Sequence, residues 1–291
     1  MNRQDQGPNG LAGNDQQPES IHAQSEEESV TQATRLSARL IYEVIRRDGD
    51  EELSRPAMSL VWSGLAAGVL ISLSVIAQAT LRHRLPVADW SLLVESFGYS
   101  VGFLVVILGR MQLFTENTIT TVLPVIARRS MWCLWRTARL WALVLCANIV
   151  GAFVASGFLT VDGVVSPDLF ESLLDVSRHA VEGEAVTNFL RSMPAGVLVA
   201  AIVWIMPSAG GNSFFVILTL TWVMAVGGFA HIVAGTVEFG LLLWNGETEI
   251  VTGALTFLVP VLAGNIAGGT AVFALMAWGQ VRREVEQGTD V

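Results

Sequence analysis

The sequence predicts an all-α integral membrane protein built from two inverted halves, and three observations carry that prediction. Of 291 residues, 52% are hydrophobic, and the mean hydropathy of +0.53 is too high for an ordinary soluble domain. The apolar residues gather into six long units. These units fall into two halves that repeat one another in order: Ala67-Gly68-Val69-Leu70 answers Ala195-Gly196-Val197-Leu198, and Ala147-Asn148-Ile149-Val150-Gly151 answers Gly264-Asn265-Ile266-Ala267-Gly268. Three spans per half is an odd number, so the halves run in opposite directions across the membrane. Inverted repeats with matched broken helices place a site near the bilayer midplane.

The chain begins with a polar stretch, residues 1–34, rich in Gln, Asn, Glu and Ser, without the apolar core of a secretory signal. It reads as a disordered acidic tail. Residues 35–54 set Leu36, Leu40, Ile41, Val44 and Ile45 on one stripe, the pattern of an amphipathic helix lying on the inner membrane face or against the bundle. Residues 55–280 hold the six units, at 57–79, 97–127, 140–159, 193–206, 214–244 and 251–278, with an acidic loop at 162–184 between the halves. Residues 281–291 form a C-terminal tail.

The net charge of −9 comes largely from the first fifty residues and the acidic loop. All 17 basic residues are arginine, and their placement sets orientation. Arg46, Arg47 and Arg55 precede the first unit, Arg128, Arg129, Arg136 and Arg139 fill the second connection, and Arg282 and Arg283 follow the sixth. Both termini are therefore expected in the cytoplasm, with the bilayer of the inner or plasma membrane as the surrounding partner.

Two units are interrupted. The second breaks at 113–117, Leu-Phe-Thr-Glu-Asn. In the fifth, Gly227, Gly228 and Gly235 bracket His231, and Glu238 follows. The uncharged run at 214–230 is long enough to enter a bilayer but short of the roughly 20 residues needed to cross it. Non-helical backbone at membrane depth survives only inside protein or beside a wet cavity. An ionisable ring at such a break points to a substrate or proton path, although a packed structural histidine is the plainer reading.

Other chemistry finds no support. There is no phosphate-binding glycine loop and no nucleophile–base spacing, so an enzyme is not expected. Cys133 and Cys146 are too few for a metal site, and no cofactor is expected. The arginines are explained by topology, which leaves nothing for nucleic acid.

Three motifs, in order, resemble the formate/nitrite transporters. Leu113-Phe114-Thr115 followed by Asn117 resembles the family's L-F-T-G-N loop. Gly228-Phe229-Ala230-His231 resembles G-F-E-H, and Pro260 with Gly264-Asn265-Ile266-Ala267-Gly268-Gly269 resembles P-V-x-x-G-N-I-x-G-G. The resemblance implies an aquaporin-like six-helix protomer in a homopentamer, one pore per subunit, moving small monovalent anions such as formate or nitrite, or their conjugate weak acids. By position, Thr115 and His231 are implied as the pore centre with Asn265 supporting them, and Leu113, Phe114, Phe103, Tyr99 and Met224 as apolar constrictions. A histidine, with an unperturbed pKa near 6.5, can supply positive charge or hand on a proton.

This chain departs from the pattern where Glu116 replaces a glycine, where Arg110 and Met111 replace small residues, and where a lysine before the fourth helix is missing, Arg178 and His179 being nearest. Arg110 and Glu238 are expected to flank their breaks on the outer side. They are read there either as a buried pair or with Arg110 as an anion attractor. Two further readings stay open: an aquaporin-like conduit for small neutral solutes, and a non-transporting membrane scaffold.

Overall fold

The computed structural model describes residues 36–287; the expected tail at 1–34 and residues 288–291 lie outside the described residues. Apart from one isolated bridge between Asp162 and Val165, the regular structure described is helical. Helix α1 (Ala38–Ser54) buries Tyr42, Ile45, Gly49 and Leu53, a stripe rotated from the expected one so that Leu40 is exposed. Its polar side is tied by Arg46 to Glu43 at 2.7 Å and to Asp50 at 2.8 Å, and Asp50 also receives Arg128 at 2.8 Å. The Arg46 hydrogen bond, with help from Arg47, holds the Glu43 carboxyl down to about 2.

Helices α2 (Ala57–Leu70) and α3 (Ser72–Arg84) form a nearly continuous apolar rod. At 1.5 Å per residue, its 28 residues reach about 42 Å, a full membrane crossing. Then come α4 (Ser91–Leu108), the short α5 (Phe114–Thr120) and α6 (Val122–Arg128), and the 29-residue α7 (Met131–Leu159). Helices α9 (Ala185–Ala209) and α10 (Ser213–Val226) are joined by a 3₁₀ turn at Gly210–Asn212. Helix α11 (Ile232–Trp244) follows, then a long final helix, α12, over 250–287. Two π-helical stretches interrupt α12, Ala254–Leu258 just before Pro260 and Ala267–Ala274 just after Asn265.

Five of these runs are long and apolar enough to cross a membrane, with α11 a shorter apolar helix. Large apolar side chains such as Trp62, Trp135, Phe158, Phe215 and Leu255 stand exposed on them, as a lipid-facing surface requires.

The stretch expected as an acidic loop contains a 15-residue helix, α8 (Pro167–Val181). Its signals were local. Ser166 accepts the Leu169 N–H, Pro167 opens the first turn, and Leu173, Leu174 and Val176 are buried, while the acids set only the net charge of the stretch. Helix α8 packs on α3 and α11, whereas α1 joins the Ala57 end of the α2–α3 rod. The two therefore mark opposite faces of the molecule, called here the α8 face and the α1 face.

The halves pack alike. Helix α2 lies along α7, and α9 lies along α12. At each crossing a glycine allows the contact: a Cβ on Gly68 would strike the Asn148 carbonyl, and one on Gly196 would strike the Asn265 carbonyl. Across the halves, α4 packs against α10. Both of these helices end at a break.

Candidate functional site

The two breaks repeat each other hydrogen bond by hydrogen bond. After α4, Arg110 donates its backbone N–H to Ile107 and Met111 to Val106. After α10, Gly228 donates to Ala225 and Phe229 to Met224. In each case the second residue after the helix is left-handed, Arg110 with φ 52° and Gly228 with φ 63°. Glycine adopts that conformation freely; an arginine there is strained.

From these turns each chain passes inward to a helix that starts at membrane depth, and an asparagine from the last helix of each half secures it. Asn148 Oδ1 accepts the Phe114 N–H at 2.9 Å, and its Nδ2 donates to the carbonyls of Gln112 and Gly64 at 2.8 Å. Asn265 Oδ1 accepts the Ile232 N–H at 2.8 Å, and its Nδ2 donates to Ala230 at 3.0 Å and Ser192 at 2.9 Å. Both side chains are fully buried. An unpaired backbone group at such depth costs several kcal/mol, and the asparagines remove that cost.

The helices so positioned bring Thr115 and His231 together. Thr115 Oγ1 lies 2.7 Å from His231 Nε2, and both residues are buried. His231 caps α11, its Nδ1 accepting the Ala234 N–H at 3.4 Å. With Nδ1 an acceptor, the proton of a neutral ring sits on Nε2 and is donated to Thr115. The hydroxyl hydrogen of Thr115 is then left to donate elsewhere. Phe103 presses on the imidazole edge-to-face at 4.9 Å, and Tyr99 packs on Phe103 at 5.2 Å.

A cavity lies to each side. The one on the α1 face, about 440 Å³, is lined by Asp48, Glu52, Arg110, Gln112, Glu116 and Asn117. Helix α1 reaches the break through Glu52, which accepts from Gln112 Nε2 at 2.8 Å, and Gln112 in turn accepts from Asn117 at 3.1 Å. Burial raises the Asp48 carboxyl above its ordinary range, with Arg110 opposing. The cavity on the α8 face, about 70 Å³, is lined by His231 itself, Tyr99, Met224, His179, Arg191 and Glu238.

Arg110 and Glu238 thus open into different cavities, which corrects the expectation that they share the outer side. The reason is length. Helix α4 begins at Ser91, six residues before the expected start, and its 18 residues carry Arg110 to the α1 face. Glu238 has Arg191 as the cation acting on it. Arg178 is exposed and bound to Glu171, Asp175 and Glu247 at 2.7–2.9 Å, so it contributes nothing to the cavity, whereas its neighbour His179 does.

Leu113 is buried and lines neither cavity. Phe114 turns its ring against Trp141, 5.6 Å away and edge-on. Three contributors escaped sequence reasoning: Asn148, legible as the repeat partner of Asn265; Gln112; and Arg191. Among the described residues no cluster of three or more His, Cys, Asp or Glu side chains could hold a metal.

The family model for formate/nitrite transporters matches residues 39–279, nearly the whole helical body. The chain belongs to the formate/nitrite transporter family. Formate/nitrite transporters are channels and transporters, not enzymes, and with its apolar helices this member is a multi-pass membrane protein. The inner membrane protein YfdC of Escherichia coli (strain K12) is 36% identical over 278 residues, covering 93% of this chain and 90% of that protein. The formate channel FocA of Haemophilus influenzae is 23% identical over 241 residues, 74% of this chain and 84% of its own. In fold, the chain resembles a formate/nitrite transporter family ion channel with a TM-score of 0.72 at 19% identity, over 82% of this chain and 98% of that one. It also resembles a pentameric formate channel with formate bound, with a TM-score of 0.64 at 21% identity, over 78% of this chain and 97% of that one.

Proposed function

We propose that this protein is a homopentameric channel or transporter for small monovalent anions or their conjugate weak acids, each subunit holding one pore with Thr115 and His231 at its centre. The observation that carries the reading is the 2.7 Å contact between a hydroxyl from one half and an imidazole from the other, buried between two cavities on opposite faces. Asn265 and Asn148 hold the two half-helices, and Phe103, Tyr99 and Met224 form the apolar constriction on the α8 side. Leu113 and Phe114 close the centre from behind. With both termini cytoplasmic, as the arginine bias argues, the larger cavity faces the cytoplasm.

An anion stripped of water in this constriction loses hydration worth many kcal/mol, which one hydroxyl does not replace. A neutral acid needs only its hydrogen bonds matched. Thr115, fixed by His231, offers a donor for an acid's carbonyl oxygen, so the protonated form crosses the centre and selectivity follows acidity and size.

Purified protein in liposomes tests this: formate or nitrite gradients should drive flux that T115V and H231A reduce at least tenfold. A broad anion panel giving no flux would overturn it. The carboxylates of Asp48, Glu52 and Glu116 around a single Arg110 favour a second reading, a conduit for neutral solutes. In that case flux is independent of anion identity.

A further inference from the structure

The α8-face cavity contains two ionisable groups that the fold does not satisfy. Glu238, on α11, is 5% exposed, and its carboxyl makes no hydrogen bond or ion pair with any described residue. Arg191, on α9, gives its Nη2 to the Ala180 carbonyl, but its Nε is buried without a partner. Both line the same small space as His231. A carboxylate left unpaired inside a membrane protein is costly, whereas a protonated carboxyl is not. Buried groups of this kind, aimed into a cavity one step from a candidate pore centre, mark a site.

We propose that Arg191 and Glu238 form a protonation station, at which Glu238 converts an arriving monocarboxylate into the neutral acid before it meets Thr115 and His231. This rests on the transport reading above. At rest Glu238 is protonated and Arg191 charged, so the station carries one net positive charge and draws in one anion. The O–H bond of Glu238 then breaks, its electron pair stays on the glutamate oxygen, and a new O–H bond forms on the substrate oxygen. The station is neutral before and after this transfer, because Arg191 compensates first the substrate anion and then the Glu238 carboxylate. The acid departs toward His231, and Glu238 takes a proton back from water on the α8 face. The other titratable groups facing this space are Tyr99 from α4, His179 from α8 and His231 at the break, while Glu182 acts on Arg191. A substrate so handled is a weak acid with a small headgroup, as a cavity of about 70 Å³ admits little more.

The test is proton-coupled formate uptake into liposomes, following formate and internal pH together. Wild type is expected to bring in one proton with each formate. E238Q, nearly isosteric, should lose formate-driven proton entry about 100-fold, the usual contribution of a positioned proton donor. E238D should keep the one-to-one ratio at a reduced rate. Wild-type speed and an unchanged ratio in E238Q would overturn the station while leaving the channel reading intact. If wild type moves no anion of any kind, the channel reading fails and takes the station with it. Should E238Q not assemble, difference infrared spectra of wild type decide: formate addition must remove a protonated-carboxyl band, in E116Q as well, and no change in that band overturns the proposal.

Discussion

The pairing of Asn148 with Asn265 makes the sharpest stability prediction. In N148A the Phe114 N–H and the Gln112 carbonyl, both at the start of a half-helix inside the membrane, lose their partners; the Gly64 carbonyl keeps its place within α2. Each orphaned buried group costs about 1–3 kcal/mol, so the loss is about 2–6 kcal/mol. For a helical body of this size that corresponds to a fall in apparent melting temperature of about 10 °C. N265A orphans the Ile232 N–H and the Ala230 carbonyl in the same way and should fall by a similar amount. N148D keeps the acceptor for Phe114 but turns a carboxyl oxygen on two carbonyls, and it should be no better than alanine. The assay is thermal unfolding of detergent-purified protein, with formate flux measured in parallel. If both alanine variants melt with wild type, the asparagines do not hold the half-helices, and the local equivalence of the two breaks has no energetic content.

Other expectations follow from single contacts. Because Arg110 occupies a left-handed position, R110G should melt higher than R110A by a difference of about 1 kcal/mol, the two sharing the same loss of charge. T115V removes the only hydrogen-bond partner that His231 Nε2 has among the described residues and should destabilise by about 1–3 kcal/mol, with assembly retained on size-exclusion chromatography. Glu43 is held at about 2 against an ordinary 4.5 by Arg46 and Arg47 of the same helix, so its contribution to the stability of α1 is present above the higher value and is lost as pH falls through the lower. Hydrogen exchange of α1 amides should therefore accelerate across that acidic window, and E43Q should abolish the pH dependence.

What the sequence made legible was set by pattern length. Membrane-scale apolar runs, the two breaks and the small-residue repeats each extend over many residues or recur, so the half-to-half correspondence could be anticipated from pattern, whereas the Thr115–His231 encounter was implied by the family resemblance of Leu113-Phe114-Thr115 and Gly228-Phe229-Ala230-His231. Helix α8 was hidden because its three acids, Asp168, Glu171 and Asp175, set the charge of the stretch, although the apolar residues around Leu173, Leu174 and Val176 outnumber them.

The sidedness of Arg110 was lost for a different reason. Hydropathy locates where a run is apolar but not where its helix starts, and six residues of helix before Phe97 shift everything after α4 by about 9 Å along the membrane normal. That displacement is enough to move a charge from one cavity to the other. The same reasoning accounts for Arg191: an arginine at a helix edge counts equally toward topology whether its side chain reaches water or turns inward, and only its buried, unpartnered Nε separates the two. The residues that set a pore's charge are thus the ones a composition-based reading assigns to orientation. In this protein the net effect is unequal cavities, with three acidic side chains, Asp48, Glu52 and Glu116, sharing the α1-face cavity with Arg110 and one, Glu238, sharing the α8-face cavity with Arg191. Asp48 and Glu52 of α1 oppose an anion on the first face and Arg191 draws one on the second, so uptake from the α8 side should saturate at lower formate concentration than uptake from the α1 side, and D48N should narrow the difference.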